Sequence, residues 1–298
     1  MYRIGIIGTE NSHAMGISRL INLPDPQTGK PRYPDVRVVG VYGPDEDSPK
    51  KIMDEAKIDF IAKDPNEFFG KVDVMCITCR KGSLHYKYAI PFVEKGMMVF
   101  VDKPFTSDVE EGNKLISAAK KSGAKLYGGS SARMNMEVAL LKNIVRDLIT
   151  KDEFITASLN YAADPSSEYD GFYFYSSHLT ERAIEIFGKD IKSLIAYEKK
   201  GSRISIWRYA GFDITLNYTK DSREFGALIY SKNRNFYREI TDTFNTMGIA
   251  VNHISLIDQL IQMIRTGEMP CSYDDLLLPV KLMSAVEESV KTGKEIFF

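Results

Sequence analysis

The feature that most constrains this chain is the alternation of short, almost continuous apolar runs with amphipathic stretches across its first 128 residues. Residues 2–8, 36–42, 60–62, 73–78, 98–101 and 125–128 read as strands. Between them, 13–22, 49–56, 85–95 and 108–122 read as helices. A strand without polar alternation is covered on both faces, the condition of a parallel sheet flanked by crossover helices. Right-handed crossovers then give a doubly wound α/β sheet.

The texture changes after residue 128. A helix with a long apolar stripe is expected over 137–149, followed by strands over 154–161, 191–197, 202–209, 212–218 and 224–231. A helix starting at 177 and two closing helices over 252–265 and 276–292 complete the pattern. Several strands alternate apolar and polar residues, as an antiparallel sheet with one covered face does. The expectation is two domains, a doubly wound 1–128 and an α+β 129–298.

Composition excludes several function classes. With 298 residues, 44% hydrophobic content and a formal net charge of −1, the chain can bury real cores and carries no overall basic footprint for nucleic acid. No apolar run approaches the roughly 18 residues needed to cross a bilayer. The first residues, MYRIGIIGT, read as a buried strand rather than a secretion signal, so a cytoplasmic protein is expected. Cys76, Cys79 and Cys271 are too few and too scattered for a disulfide framework. Cys76 and Cys79 lie in or beside the run VDVMCIT and read as core residues, and no metal-ligand spacing stands out.

Four segments carry candidate chemistry. The first strand runs into GIIGTENSHA, a strand–turn–helix that would aim backbone N–H groups at a pyrophosphate. Against the G-x-G-x-x-G fingerprint, Gly8 fills the first place while Glu10 and His13 take the second and third. Asn11 and Ser12 suit a helix cap, so the segment reads either as a phosphate loop or simply as a capped helix start. The second strand ends in VYGPDED, with Gly43 where a ribose-binding acid is usual and Asp45 two residues on. Lys103, in Asp102-Lys103-Pro104, ends the strand 98–101, where doubly wound sheets bind ligands, and its ammonium suits a substrate hydroxyl. His178, with Glu181 one turn on, is either a general base or a structural helix-start histidine.

The weaker candidates surround these. Tyr173 and Tyr175 precede His178 and suit either a sugar-binding surface or a core. Arg133 is a candidate ligand contact in the crevice between the domains, and Arg80 and Lys81 follow the strand 73–78; each is also an ordinary solvated charge. His85 and His253 read as packed helix-start residues.

Taken together, GIIGTENSHA, VDVMCIT followed by His85, VFVDKPF, the Arg133 segment, SSHLTE and the closing VKLMSAVEESVKTGKEI resemble the Gfo/Idh/MocA oxidoreductases over the whole chain. The resemblance implies an N-terminal Rossmann domain and a C-terminal α+β domain with a large open, mainly antiparallel sheet, often used to form a homodimer or homotetramer. It implies NAD or NADP as cofactor and hydride transfer at a carbinol carbon of a sugar, inositol or related polyol. Lys103 and His178 match the family's catalytic lysine and histidine. Gly8, Thr9, Glu10, Asn11, Ser12, His13, Thr78, Asp102 and Lys103 are the implied cofactor contacts. Lys103, Arg133, Tyr175, His178 and Glu181 are the implied substrate contacts. Glu10 and Gly43 depart from the family's cofactor pattern, and Phe174 replaces the aspartate common four residues before the histidine. Two readings stay open: an oxidoreductase with a shifted cofactor pose, or a sensor that binds a sugar or nucleotide without redox turnover.

Overall fold

The computed structural model describes residues 1–222 and 224–298. Among these residues the strands form two sheets, one in each of two compact units. Unit 1 comprises Met1–Gly129 and Thr243–Leu277, and unit 2 comprises Ser130–Asp242 and Leu278–Phe298.

The sheet of unit 1 contains β1 (Tyr2–Ile7), β2 (Val36–Tyr42), β3 (Phe60–Ile61), β4 (Val74–Ile77), β5 (Met98–Val101) and β6 (Leu126–Gly128) in the order β3-β2-β1-β4-β5-β6. Every pairing is parallel. This is the Rossmann arrangement expected from the sequence. The helices α1 (Ser12–Asn22), α2 (Asp47–Ala56), α3 (His85–Glu94) and α4 (Val109–Ser122) provide the crossovers. The order reverses between β1 and β4, which puts the loop after β1 at the topological switch point. β4 is buried at every position, which explains its unbroken VMCI.

Unit 2 opens with α5 (Met136–Thr150), β7 (Phe154–Ala162) and α6 (Tyr173–Phe187). It continues with β8 (Ser193–Lys199), β9 (Ser202–Arg208), β10 (Asp213–Thr219), β11 (Phe225–Ser231) and β12 (Phe236–Ile240). The helices α7 (Val251–Thr266) and α8 (Tyr273–Thr292) and the strand β13 (Ile296–Phe297) follow along the chain. The second sheet runs β12-β11-β7-β10-β9-β8-β13, antiparallel except for the β7–β10 pair. β10 alternates buried and half-buried residues along its whole length, the mark of one covered face. That face, with Trp207, Leu216 and Tyr218, packs in one core with Leu141 of α5, Leu179 of α6 and Val286 of α8.

The structure departs from the sequence expectation in three places. α6 begins at Tyr173, not at residue 177, so Tyr173 and Tyr175 sit within the helix rather than before it. The edge strands β12 and β13 are too short to show a period in the sequence. Thr243–Leu277, assigned by pattern to the second domain, belongs to unit 1. There Tyr33 Oη donates to Asp258 of α7 at 2.6 Å, and Arg265 of α7 pairs with Asp35 at 2.6 Å. Such contacts join residues more than 200 positions apart, which no local pattern reveals.

Candidate functional site

The loop after β1 is built around Gly8, whose φ is +102°. A Cβ there would stand 2.3 Å from the Cys79 nitrogen, so the position admits only glycine. Thr78 fastens the same junction, donating its hydroxyl to Gly8 O at 2.7 Å. Thr78 is fully buried with that hydroxyl engaged. Asn11 caps α1, accepting from His13 N at 2.7 Å and Ala14 N at 3.3 Å, while its amide donates to Thr78 O. Ser12 is the exposed first residue of α1.

The two departures from the fingerprint have structural reasons. Glu10 turns its carboxylate onto the end of β4, where Oε1 accepts the Arg80 N–H at 2.7 Å. Its Oε2 is buried with no partner among the described residues. Gly43 leaves room for Thr9: a Cβ at 43 would meet Thr9 Oγ1 at 1.8 Å. Thr9 is buried, and its hydroxyl bonds Ser48 Oγ at 2.7 Å, so any acidic side chain at 43 is shut out. Asp45 cannot take over that role cheaply, because both its oxygens hold Ser48, at 2.6 and 2.8 Å. Those bonds, the backbone one first, hold its carboxyl below the usual range.

Past the carboxyl ends of β2 and β3 lies a groove of about 270 Å³ lined by Tyr42, Asp64, Asn66, Lys87, Tyr88 and Pro91. Tyr42 and Tyr88 meet edge to face at 6.0 Å. Burial, then Tyr42, pushes the Tyr88 phenol up to about 12. None of these residues stood out in the sequence; aromatic side chains at a strand end and on the facing helix were the available signal.

At the end of β5, Asp102 and Lys103 are both buried. Asp102 Oδ2 meets His13 Nδ1 at 2.6 Å, and the His13 ring lies 4.8 Å from that of His253 on α7. Burial alone would raise the Asp102 carboxyl; His13, through its charge and hydrogen bond, and then Lys103 and His253, overcome it and hold the group well below the usual range. His253 is pushed down to about 3, by burial first and then by His13. His85 ties the neighbouring loops together, with Nδ1 2.7 Å from Pro104 O and Nε2 2.8 Å from Cys79 O. Burial first, and then Glu10, pushes the Cys79 thiol up, and both cysteines of the C-x-x-C pair are buried in the core.

Unit 2 assembles a second set around α6. His178 Nδ1 lies 2.7 Å from Ser130 Oγ, and the ring packs against Tyr161 at 5.7 Å and Tyr175 at 5.6 Å. Glu181 is buried rather than open to a ligand, accepting the Ser130 N–H at 2.8 Å on Oε1 and pairing with Arg133 through Oε2. Arg133 is thereby fixed by Glu181. Arg182, absent from the sequence reading, is buried with its guanidinium 4.7 Å from the Tyr161 ring and 4.3 Å from that of Phe225. Phe174 packs at a tilt against Tyr169 at 5.0 Å and edge to face against Tyr175 at 4.6 Å.

Among the described residues no group of three or more His, Cys, Asp or Glu is placed to hold a metal ion, and no helix is long and apolar enough to cross a membrane.

Comparison with known proteins bears on the fold. The model of the Gfo/Idh/MocA family, described as an oxidoreductase family with an NAD-binding Rossmann fold, matches residues 2–130. The whole chain superposes on the WlbA dehydrogenase of Bordetella pertussis, crystallised with NADH and UDP-GlcNAcA, with a TM-score of 0.80 at 16% identity, covering 100% of this chain and 98% of that one. It superposes on the myo-inositol 2-dehydrogenase of Lactobacillus plantarum with a TM-score of 0.79 at 14% identity, covering 100% and 99%. The myo-inositol dehydrogenase of Lactobacillus casei, crystallised with NAD(H) and myo-inositol, gives 0.78 at 12% identity, covering 100% and 97%. At these identities the likeness is one of fold. The family model thus matches the Rossmann portion of the chain, residues 2–130, and the solved structures share the fold of the whole chain.

Proposed function

We propose that the protein is an NAD- or NADP-dependent dehydrogenase acting on a sugar, an inositol or a related polyol. The observation that carries this reading is the Gly8 loop, where a glycine-only approach of backbone to backbone opens a capped helix at the switch point of a family-matched Rossmann sheet. A dinucleotide suits this domain: the loop and the start of α1 would receive its diphosphate, and the groove of Tyr42, Lys87 and Tyr88 its adenosine. The bound nicotinamide supplies the hydride chemistry. Of the two residues assigned to catalysis, Lys103 would hold and polarise a substrate oxygen. His178 would take a hydroxyl proton. To accept it at Nε2, the ring must carry its other proton on Nδ1 and donate it to Ser130 Oγ, the contact at 2.7 Å. The polyol class rests on the inositol and sugar-nucleotide ligands of the similar structures.

The test is binding of NAD, NADH, NADP and NADPH to ligand-stripped protein, followed by a polyol screen for cofactor reduction. His178→Ala then abolishes turnover, and retained turnover refutes the assignment of His178. A second reading, a ligand sensor without redox activity, is favoured by the Glu10 carboxylate in the phosphate loop. It predicts thermal stabilisation by a sugar or nucleotide with no cofactor reduction by any polyol.

A further inference from the structure

His178 shares one face of α6 with Glu181 and Arg182, three and four residues further along. Glu181 and Arg133 answer each other's charge. Arg182 is held differently. Its side chain is 2% exposed, yet its polar contacts are long. Nε donates to Ala132 O at 3.4 Å, and Nη2 stands 4.0 Å from Asp242 Oδ1. Nη1 is buried with no partner among the described residues. The guanidinium lies instead between two rings, 4.7 Å from Tyr161 and 4.3 Å from Phe225. Burial pushes it down from its ordinary value, against the opposing pull of Tyr161 and Asp242. A methionine would fill the same space without the cost of a buried, half-satisfied cation. The contacts that Arg182 does make lead to His178 by two routes. The Tyr161 ring, over which the guanidinium sits, stands perpendicular to the His178 ring, at 86° and 5.7 Å. Ala132, whose carbonyl accepts from Arg182 Nε, donates its own N–H to Ser130 Oγ at 3.1 Å. That same hydroxyl oxygen lies 2.7 Å from His178 Nδ1.

We propose that Arg182 is a positioning residue for His178, fixing through Tyr161 and Ala132 the ring orientation and the Nδ1 contact on which proton transfer at Nε2 depends. The inference rests on the dehydrogenase reading above and adds to it a residue that acts through others. A cation over a ring face is attracted to the ring's centre, so Arg182 sets the tilt of Tyr161. The bond to Ala132 O holds the turn Ser131–Met134, and with it the N–H that orients the Ser130 hydroxyl. Both restraints meet at one imidazole. Without the charge, the Tyr161 ring and the Ser130 hydroxyl turn more freely, and the neutral imidazole exchanges between its two tautomers. Only the tautomer with its proton on Nδ1 accepts at Nε2.

Nitrogen-15 NMR of the histidine-labelled full chain reads the tautomer without any substrate. The sequence holds only 4 histidines, so His178→Ala assigns the His178 signals by difference. Well above the ordinary histidine titration, the native chain is expected to show His178 as one tautomer, protonated on Nδ1. Arg182→Met keeps the volume and removes the charge; its two His178 nitrogen shifts are expected to move toward their average. Arg182→Lys keeps a cation beside the Tyr161 ring and should return them part of the way. In the polyol assay, Arg182→Met should lower kcat about tenfold with KM and the dinucleotide Kd unchanged. Its melting temperature should stay within a few degrees of native, because the lost charge was poorly paired. Should Arg182→Met not fold, Tyr161→Leu is read in the same way: averaged shifts support the proposal and native shifts overturn it. Native His178 shifts in Arg182→Met, or a kcat that falls only with the folded fraction, overturn the proposal and leave the dehydrogenase reading intact. No cofactor reduction by the native chain with any polyol overturns that reading, and the catalytic role of Arg182 with it.

Discussion

Replacing Glu181 with glutamine probes the network that fixes His178. In the native chain, Oε1 accepts the Ser130 N–H at 2.8 Å and Oε2 pairs with Arg133. Glutamine keeps the first bond through its carbonyl, but its amide presents N–H donors to a guanidinium. Arg133 then keeps its charge with 17% of its side chain exposed. Breaking a buried ion pair from one side costs about 3–5 kcal/mol. The partial exposure of Arg133 brings the expected loss for Glu181→Gln down to about 2 kcal/mol. Arg133→Met leaves the more deeply buried carboxylate alone and is expected to cost about 3 kcal/mol. The double variant removes both charges and recovers part of the loss, giving a coupling of at least about 1.5 kcal/mol. Urea unfolding read from Trp207 fluorescence is the assay. Trp207 is the sole tryptophan and is fully buried in the core of unit 2, so its signal reports the unit that holds the pair. Additive losses in the double variant, with unchanged urea slopes, would refute the argument that Glu181 and Arg133 act as a unit.

Three further outcomes follow from the same geometry. Ser130→Ala removes the 2.7 Å contact to His178 Nδ1 and, in the polyol dehydrogenase assay, should lower kcat about tenfold with KM little changed, while an unchanged kcat would deny Ser130 that role. His85→Phe removes the ring nitrogens that meet Pro104 O and Cys79 O and should cost about 1–3 kcal/mol in thermal or urea unfolding; a loss below about 0.5 kcal/mol would mean water replaces the ring. His253 is held down near 3 in the folded chain against 6.5 when unfolded, so between those values the unfolded chain binds more protons and acid destabilises the fold. This group contributes a slope of up to about 1.4 kcal/mol per pH unit across that window, so His253→Gln should flatten the decline in stability between pH 6.5 and 5, and an unaltered slope would place the acid sensitivity elsewhere.

The amino-acid sequence by itself determined the parallel sheet of unit 1, because unbroken apolar strands such as VMCI have no other stable home than between two layers of helices. It also singled out Lys103, His178 and the GIIGTENSHA loop, since strand ends and helix starts are where side chains and N–H groups face a ligand. It marked Glu10 and Gly43 as departures but held no account of either. That account needed the close approach of Thr9 to residue 43 and the Arg80 N–H that draws Glu10 away, both contacts between segments distant along the chain. The same limit hid the pairing of His13 with Asp102 and His253, and the closing of the loop by the Thr78 hydroxyl. Periodicity reports which face of an element is covered, and only the tertiary structure decides what covers it. His13 reads as a defect in a glycine fingerprint until α7, some 240 residues later, brings His253 against its ring.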